Sequence, residues 1–401
     1  MTPEEYAGGF DERIGPLVVA AAERVPVFRS RLEASGIEPE GVVDAGSLDR
    51  IPVLGKDELL ELQEGERPFG GLLAADARVR RVYQSPGPLY EPELDHDDYW
   101  RFAPAFRAAG FGPADLVLNA ASYHLSPLGA MLEEAARAVG CRVVPGGIGN
   151  LDLQVEVCAQ LGVTAFSGLP SYLKALLERA EELGQELFIE KAFVSAEPLP
   201  PSLRAWLRDR VPTVLQGYGT AELGNLGYEC RRMDGLHVPE DALVEVCGLD
   251  DGRARWDGSA GQVVGTVFHP DYPLIRFGTG DLSAYLMEEC DCGLETPRLR
   301  GWMGRVGEAV KVRGMFLHPR QVEQVMGGIA GVERYRFVVE RSGHRDDLRA
   351  EVVLEEGADP KARSDQIAER IRSSLRFKVE VRPVDELPED GPLLEDRRTW
   401  E

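Results

Sequence analysis

Strands and helices alternate along residues 97–220, and this alternation constrains the fold more than any other feature of the sequence. Stretches of about ten residues with helical spacing of apolar side chains separate short apolar runs. Successive strands joined by such helices form a parallel sheet with right-handed crossovers. The predicted elements are helices at 99–109, 128–138, 152–161 and 170–183, and strands at 115–119, 142–145, 164–167 and around Phe193 and Val214. We therefore predict an α/β fold.

The segments on either side have a different character. Residues 1–80 are mostly helical in pattern, and residues 243–303 combine short apolar runs with Gly and Asp turns, which is typical of a small β-rich subdomain. From residue 304 onward, strands at 334–340, 348–355 and 379–384 alternate with helices beginning at 322 and at 362. The prediction is a large N-terminal domain, 1–303, and a small α+β C-terminal domain, 304–401.

The charge balance excludes some classes of partner. The 68 acidic and 45 basic residues give a net charge of -23, which disfavours nucleic acid and anionic membranes as partners. An anionic ligand would need locally placed basic groups or backbone amides. There is no apolar run of about 18 residues to span a membrane. The N-terminus is acidic and lacks a signal core, so the expected location is the cytoplasm.

One strand end carries candidate functional groups. An apolar run from Val211 to Leu215 is followed by Gly217-Tyr218-Gly219-Thr220-Ala221-Glu222, so we predict that the strand breaks at Gly217. Ligands of open α/β sheets bind at the carboxyl ends of the strands, where Thr220 offers a hydroxyl and Glu222 a carboxylate. By itself the stretch is equally compatible with a glycine-containing turn.

Three further stretches resolve this ambiguity: Ser195-Ala196-Glu197-Pro198-Leu199-Pro200, Phe277-Gly278-Thr279-Gly280-Asp281, and Gly304-Arg305 leading to Val310-Lys311-Val312-Arg313-Gly314. With the strand end, the order and spacing of all four resemble the motifs of adenylate-forming acyl-CoA synthetases, and in particular the phenylacetate-CoA ligase family. N-terminal segments 25–29, 51–56 and 67–73 are also similar to that family.

The resemblance implies an activity and roles for single residues. Such enzymes join a carboxylic acid to the α-phosphate of ATP and pass the acyl group to CoA or another acceptor. Glu222 would hold Mg²⁺, Thr220 would face the phosphates, Asp281 would accept hydrogen bonds from the ribose hydroxyls, and Arg305 would support the ribose. The rest of the implied nucleotide pocket consists of Ser195, Ala196, Glu197, Pro198, Gly217, Tyr218 and Gly219.

Two departures from the family pattern favour a second hypothesis. In the phosphate loop, Ser85, Gly87 and Pro92 match the family, but Glu91 stands where the family has lysine. At the C-terminus, Pro392 stands at the position of the family's catalytic lysine. A carboxylate in place of a lysine would repel the phosphates, so adenylation would be weak or absent. The alternative is therefore a ligase-fold protein that binds nucleotide or acyl-adenylate without complete catalysis.

The acyl side of the site is less defined by the sequence. His124, in Ser122-Tyr123-His124-Leu125, lies where the family places an acyl-pocket lining, so it is a candidate for contact with the substrate carboxylate. A lone histidine is as compatible with a structural role. The sequence names neither the acid nor the acceptor, which can be CoA, an amine or a carrier protein. Homodimers are common among such relatives, but no residue pattern here indicates one.

Four residues form a candidate zinc site. Cys230 and His237 flank a turn at Gly235, and Cys290 and Cys292 flank Asp291. Three thiolates and one imidazole make a closed tetrahedral set that is typical of structural zinc. In a reducing compartment such a cluster more often binds metal than forms disulfides. The competing interpretation is two unrelated pairs, with Cys290 and Cys292 exposed on a turn.

Overall fold

A computed structural model of the chain has two compact units. The first comprises Met1–Leu199 and Leu203–Val306, and the second Pro200–Ser202 and Gly307–Glu401. The structure describes residues 1–85, 88–306, 310–313, 315–317, 319–327, 329–342, 345–355, 359–375, 377–388 and 391–398. None of the described helices is both long enough and apolar enough to cross a bilayer.

Helices dominate the start of the first unit, as the sequence predicts, and then alternate with strands. Its helices are α1 Pro3–Gly8, α2 Asp11–Arg24, α3 Pro26–Ala34, α4 Ala45–Leu48, α5 Lys56–Gly65, α6 Ala103–Ala108, α7 Leu128–Ala138, α8 Leu151–Leu161, α9 Pro170–Glu182 and α10 Pro201–Arg208. Its strands are β1 Val79–Gln84, β2 Tyr90–Leu94, β3 Leu116–Ala120, β4 Arg142–Val144, β5 Ala165–Gly168, β6 Lys191–Val194, β7 Thr213–Thr220, β8 Gly224–Tyr228, β9 Leu236–His237, β10 Ala242–Cys247, β11 Gly261–Val267, β12 Phe277–Ser283, β13 Tyr285–Leu286, β14 Arg298–Leu299 and β15 Gly304–Arg305.

The predicted parallel sheet is confirmed and forms the core of the first unit. Nine strands lie in the order β13-β14-β9-β8-β7-β6-β5-β3-β4, and β4, β3, β5, β6 and β7 are parallel neighbours. Strand β5 is completely buried because helices cover both faces of such a sheet. The carboxyl ends of β5, β6 and β7 therefore lie side by side at one edge.

The predicted β-rich subdomain is present, but its boundaries differ from the prediction of 243–303. A four-stranded antiparallel sheet, β10-β11-β12-β15, accounts for most of it. The short strand β14 pairs with β9, and β13 pairs with β14, so both extend the nine-stranded sheet. Two-residue strands carry too little apolar pattern for the sequence to assign them to a sheet.

Other predicted boundaries also change. Helix α6 begins at Ala103 and not at 99, because the Asp98 carboxylate accepts hydrogen bonds from the backbone N–H groups of Phe102 and Ala103. Strand β7 does not break at Gly217. It continues to Thr220 by exchanging its parallel partner β6 for the antiparallel partner β8.

The second unit is a separate α+β layer, as the sequence predicts. A four-stranded sheet of order β20-β19-β18-β21 combines an antiparallel central pair with parallel edge strands, and α12 contributes Ile367 and Ile371 to the buried core. The elements are β16 Val310–Val312, β17 Met315–Leu317, α11 Pro319–Met326, β18 Val332–Ser342, β19 Arg345–Leu354, α12 Pro360–Leu375, β20 Glu380–Pro383 and β21 Leu394–Asp396.

A buried guanidinium fixes the N-terminal segment against the β-rich subdomain. Arg276, whose side chain is 2% exposed, forms ion pairs with Glu245 at 3.3 Å and with Asp49 at 2.9 Å. It also donates to the carbonyls of Asp49, Ile51 and Gly252. Since Arg276 immediately precedes β12, these bonds hold the start of that strand against residues 49–51.

We predict that Arg276→Met lowers the free energy of unfolding by about 3–5 kcal/mol, because the substitution leaves buried acidic groups without their cation. Arg253→Met is the matched control. Arg253 pairs with the same Asp49, but its side chain is 57% exposed, so its loss should cost about 1 kcal/mol or less. Chemical denaturation of the three proteins measures both values, and equal losses in the two variants would contradict the prediction.

Candidate functional site

The ends of β6 and β7 are joined by a buried serine. The Ser195 hydroxyl donates to the Gly217 carbonyl at 2.9 Å, and the Ser195 N–H donates to the Gly168 carbonyl at the end of β5. A Cβ at Gly217 would lie 2.3 Å from the ring of Phe193. The glycine is therefore required for packing between the two strands, which differs from the predicted role in ending the strand.

The other residues of the same loop are also placed by the structure. Ala196 has a left-handed backbone with φ of 68°, and the Glu197 carboxylate accepts a hydrogen bond from the Ser171 hydroxyl at 2.5 Å. Pro198 is half-buried behind them. This loop follows β6 directly, so it lies at the carboxyl edge of the parallel sheet.

A hydrogen-bond network connects this edge to the four-stranded sheet. Tyr218 Oη donates to Asp281 Oδ2 at 3.0 Å, while Trp302 Nε1 and Arg305 Nη2 each lie 3.1 Å from Asp281 Oδ1. Both oxygens of the buried Asp281 carboxylate are thus engaged. Thr279 completes the network, because its hydroxyl lies 3.3 Å from Tyr218 Oη.

Burial determines the protonation of the groups around Asp281. It raises the pKa of the Tyr218 phenol well above its ordinary value, and the charge of Asp281 raises it further. Burial lowers the pKa of the Arg305 guanidinium, although Asp281 opposes this effect. The Tyr218 phenol therefore stays protonated and can donate to Asp281.

Glu222 follows β7 and forms a buried ion pair. Its Oε1 lies 2.9 Å from Nζ of Lys56, and its Oε2 is buried without a hydrogen-bond partner among the described residues. Burial favours the neutral form, but Lys56 together with hydrogen bonds from the Glu222 backbone and Thr220 outweighs it, so the pKa of Glu222 lies below its ordinary value. The neighbouring Thr220 hydroxyl accepts from the Leu223 N–H at 3.1 Å.

The structure revises the role expected of Glu91. The predicted loop 84–92 is shorter, because residues 90–94 form β2 and pair with β1; Gly87 lies outside the described residues. Glu91 is 2% exposed and sits opposite Tyr83. Burial raises the pKa of Glu91 well above its ordinary value, and Glu222 raises it further. Burial thus favours the neutral form of the Glu91 carboxyl, and the neutral form would not repel the phosphates as the sequence suggests.

Among the residues that the structure describes, no hydrogen bond joins His124 to the Asp281 network. It is exposed in the loop between β3 and α7, and its backbone N–H donates to the Ser122 hydroxyl at 3.3 Å. The same loop approaches the end of β1, because the Gln84 N–H donates to the Leu125 carbonyl at 3.0 Å. His124 is therefore near the β1–β2 hairpin, which carries the predicted phosphate loop.

The four predicted metal ligands come together. One ligand atom each of Cys230, His237, Cys290 and Cys292 lies within 4.8 Å of every other. His237 Nδ1 is 2.8 Å from the Thr296 carbonyl, which assigns the proton to that nitrogen, so Nε2 faces Cys292 Sγ at 3.3 Å. An imidazole fixed by a carbonyl is the usual arrangement of a metal-ligating histidine.

Backbone amides also support the cysteine sulfurs. The Arg232 N–H donates to Cys230 Sγ at 3.4 Å, and the Leu294 N–H donates to Cys292 Sγ at 3.3 Å. Burial raises the pKa of the Cys230 thiol to about 11 and lowers the pKa of the His237 imidazole. The histidine is thus held in the neutral form that binds metal, and a cation would be required to keep Cys230 as thiolate.

In the described part of the second unit, three basic residues that could replace a lysine at Pro392 have acidic partners. The Arg398 side chain is 3% exposed and pairs with Asp346 and Asp396. Arg397 pairs with Glu395, and Arg313 lies 3.5 Å from Asp347. The side chain of Lys311 and all of Gly314 lie outside the described residues.

Sequence reasoning missed two contacts of this site. Lys56 is part of a matching N-terminal segment, but nothing in its spacing relates it to Glu222, which is 166 positions away. Trp302 lies beside the matched Gly304-Arg305 stretch, yet its bond to Asp281 depends on the pairing of β12 with β15. Only the folded chain brings these side chains together.

Comparison with known proteins identifies two family regions. Residues 96–263 match the AMP-binding enzyme family, and residues 314–393 match the AMP-binding enzyme C-terminal domain. The chain is 32% identical to a phenylacetate-coenzyme A ligase of Thermus thermophilus over 363 residues, 86% of this chain and 81% of the relative. A phenylacetate-coenzyme A ligase of Escherichia coli is 27% identical, with 84% and 80% covered.

Solved structures share the fold at lower identity. A 2-hydroxyisobutyryl-CoA ligase in complex with 2-HIB-AMP and CoA superimposes with a TM-score of 0.91 at 23% identity, covering 98% of this chain and 90% of that one. An amide bond synthetase from Marinactinospora thermotolerans has a TM-score of 0.59 at 20% identity, with 77% and 65% covered.

Proposed function

The chain belongs to the phenylacetate-coenzyme A ligase family of AMP-binding enzymes, and from that premise we propose that it is an acid-CoA ligase. It would activate a carboxylic acid with ATP to an acyl-adenylate and transfer the acyl group to CoA. The observation that carries this proposal is the network joining Ser195, Tyr218, Asp281 and Arg305 at the carboxyl edge of the sheet.

We assign the nucleotide to this network. Asp281 would accept hydrogen bonds from the ribose hydroxyls, with Arg305 and Tyr218 holding its carboxylate in place. Ser195 to Pro198 and Gly217 to Gly219 would line the base and the sugar. His124 stays a candidate for the acyl side of the site, since its exposed ring is available to a substrate carboxylate.

The residues fit a magnesium ion accompanying ATP. Glu222 offers an ionised carboxylate whose Oε2 is buried and lacks a hydrogen-bond partner among the described residues. Hard carboxylate oxygens are suitable ligands for Mg²⁺. When bound, the ion would neutralise the phosphate charge that opposes attack by an acid anion. Thr220 would keep the turn before Glu222 in place through its bond to Leu223.

The decisive experiment is acid-dependent ATP–pyrophosphate exchange, followed by CoA thioester formation, with arylacetic, benzoic and short-chain acids. We expect exchange with at least one acid, because the Asp281 network is complete and Glu91 is buried. The alternative of a nucleotide-binding protein without adenylation predicts no exchange with any acid. That alternative would be supported by thioester formation from supplied acyl-adenylate alone.

Asp281→Ala should weaken AMP binding by about 1–3 kcal/mol, because it removes the acceptors of the ribose hydroxyls. Calorimetry with AMP measures this loss. Asp257→Ala is the matched control, since Asp257 is an exposed turn residue bonded to Ser259. Unchanged affinity in the Asp281 variant, at unchanged thermal stability, would remove the ribose assignment.

We propose that the Cys230, His237, Cys290 and Cys292 cluster holds a structural zinc ion. Three thiolates and one neutral imidazole complete a tetrahedral set, which suits a structural site with no open position. The cluster connects β9 and the turn after β8 to the segment between β13 and β14. Zinc would therefore fix the chain that follows Glu222.

Protein purified without chelator should contain close to one zinc ion per chain, and Cys292→Ser should lower both the zinc content and the melting temperature. Cys158→Ser serves as the control, because Cys158 is buried in a different core cluster. Metal analysis and thermal denaturation provide the readouts. A zinc-free preparation with undiminished stability would refute the proposal.

A further inference from the structure

We infer that Lys56 is a phosphate-binding residue, supplying from the N-terminal segment the cation that the phosphate loop lacks at Glu91. The inference deepens the proposed ligase function and rests on it for the identity of the ligand. Lys56 Nζ lies 2.9 Å from Glu222 Oε1. A cation at that point stands beside the carboxylate to which we assign the magnesium ion of ATP.

The backbone holds Lys56 rigidly in this position. It is the first residue of α5, and just before it the Leu54 N–H donates to the Arg276 carbonyl while the Gly278 N–H donates to the Leu54 carbonyl. The strand β12 that carries Asp281 thus also positions Lys56. A fixed ammonium requires little reorganisation when charge develops on a phosphate.

The two members of the ion pair differ in accessibility. The Glu222 side chain is 3% exposed, whereas the Lys56 side chain is 27% exposed. The lysine is therefore the member of the pair whose side chain reaches solvent. Lysine suits this task because its three donors rotate freely, so one ammonium can serve a carboxylate and a phosphate oxygen together.

Glu91 indicates why a lysine from another segment is needed. It is buried on β2, its Oε1 has no hydrogen-bond partner among the described residues, and its carboxyl interacts electrostatically with Glu222 and Lys56. Position 91 and position 56 thus face the same carboxylate from two different elements. The positive charge expected at 91 is present in the cluster, but Lys56 carries it.

Under this assignment, binding of Mg·ATP would change the contacts of Glu222 first and those of Lys56 second. When Glu222 Oε2 takes up a cation, Glu222 no longer depends on the ammonium for charge balance. Lys56 Nζ would then turn a donor toward the β- or γ-phosphate oxygens, whose charge increases as pyrophosphate leaves. Adenosine monophosphate lacks these oxygens. A variant that loses affinity for ATP but not for AMP would therefore have lost phosphate binding and not general support of the fold.

Calorimetry with Mg·ATP and with AMP on Lys56→Met, Lys56→Arg and Lys174→Met tests the inference. Lys174 is the matched control, because it is a lysine of similar exposure paired with Glu178 on α9. We expect Lys56→Met to weaken Mg·ATP binding about 10- to 150-fold, as for a lost hydrogen bond to a charged group, and AMP binding less than about threefold. Lys56→Arg should restore most of the ATP affinity.

Pyrophosphate exchange provides the second readout, with an expected loss of about 10²–10³-fold in Lys56→Met and little change in Lys174→Met. Equal losses of ATP and AMP affinity would show a structural role and overturn the inference, as would unchanged ATP affinity. If the unmodified protein binds ATP but performs no exchange, the proposed adenylation is wrong. The effect of Lys56→Met on ATP affinity, compared with its effect on AMP affinity, still decides the role of Lys56.

Discussion

The buried guanidinium of Arg276 is the interaction on which the arrangement of the site depends. It neutralises Glu245 and Asp49 in the interior and binds the carbonyls of residues 49, 51 and 252. Because Arg276 stands at the start of β12, these bonds fix Asp281 on one side. They also fix the segment that ends at Lys56 on the other side. One charge network therefore sets the distance between the ribose-binding and phosphate-binding ends of the proposed nucleotide site.

The strongly acidic composition makes each cation of the site significant. A chain of net charge -23 repels an anionic nucleotide unless positive groups are placed locally. In the first unit these groups are Arg305 and Lys56, and each is held by a buried carboxylate. The carboxylates of Asp281 and Glu222 therefore have two functions in our proposal. They bind ligand groups directly, and they keep the neighbouring cations in position.

Much of the site could be anticipated because its residues lie in contiguous stretches. The motifs around Ser195 and Gly217 directly follow apolar runs, and the structure joins them through the Ser195 hydroxyl, while Tyr218 reaches Asp281 within β12. The Cys/His cluster was also visible, since cysteine and histidine are rare in this chain and occur here as two close pairs. Glu91 shows the opposite case. Its alignment with a lysine suggested an exposed charge, but burial in a strand changes the preferred state of its carboxyl.

The sequence by itself determined the α/β class, the parallel direction of the central strands and the family, because apolar periodicity and contiguous motifs are local properties of the chain. Tertiary structure alone decided which charges meet. Lys56 and Glu222 are paired across 166 positions, and Trp302 reaches Asp281 through the pairing of β12 and β15. It also decided that β7 continues through Gly217, where the Phe193 ring fills the space of a side chain. Such contacts depend on the packing of distant segments and on burial, neither of which a one-dimensional pattern encodes.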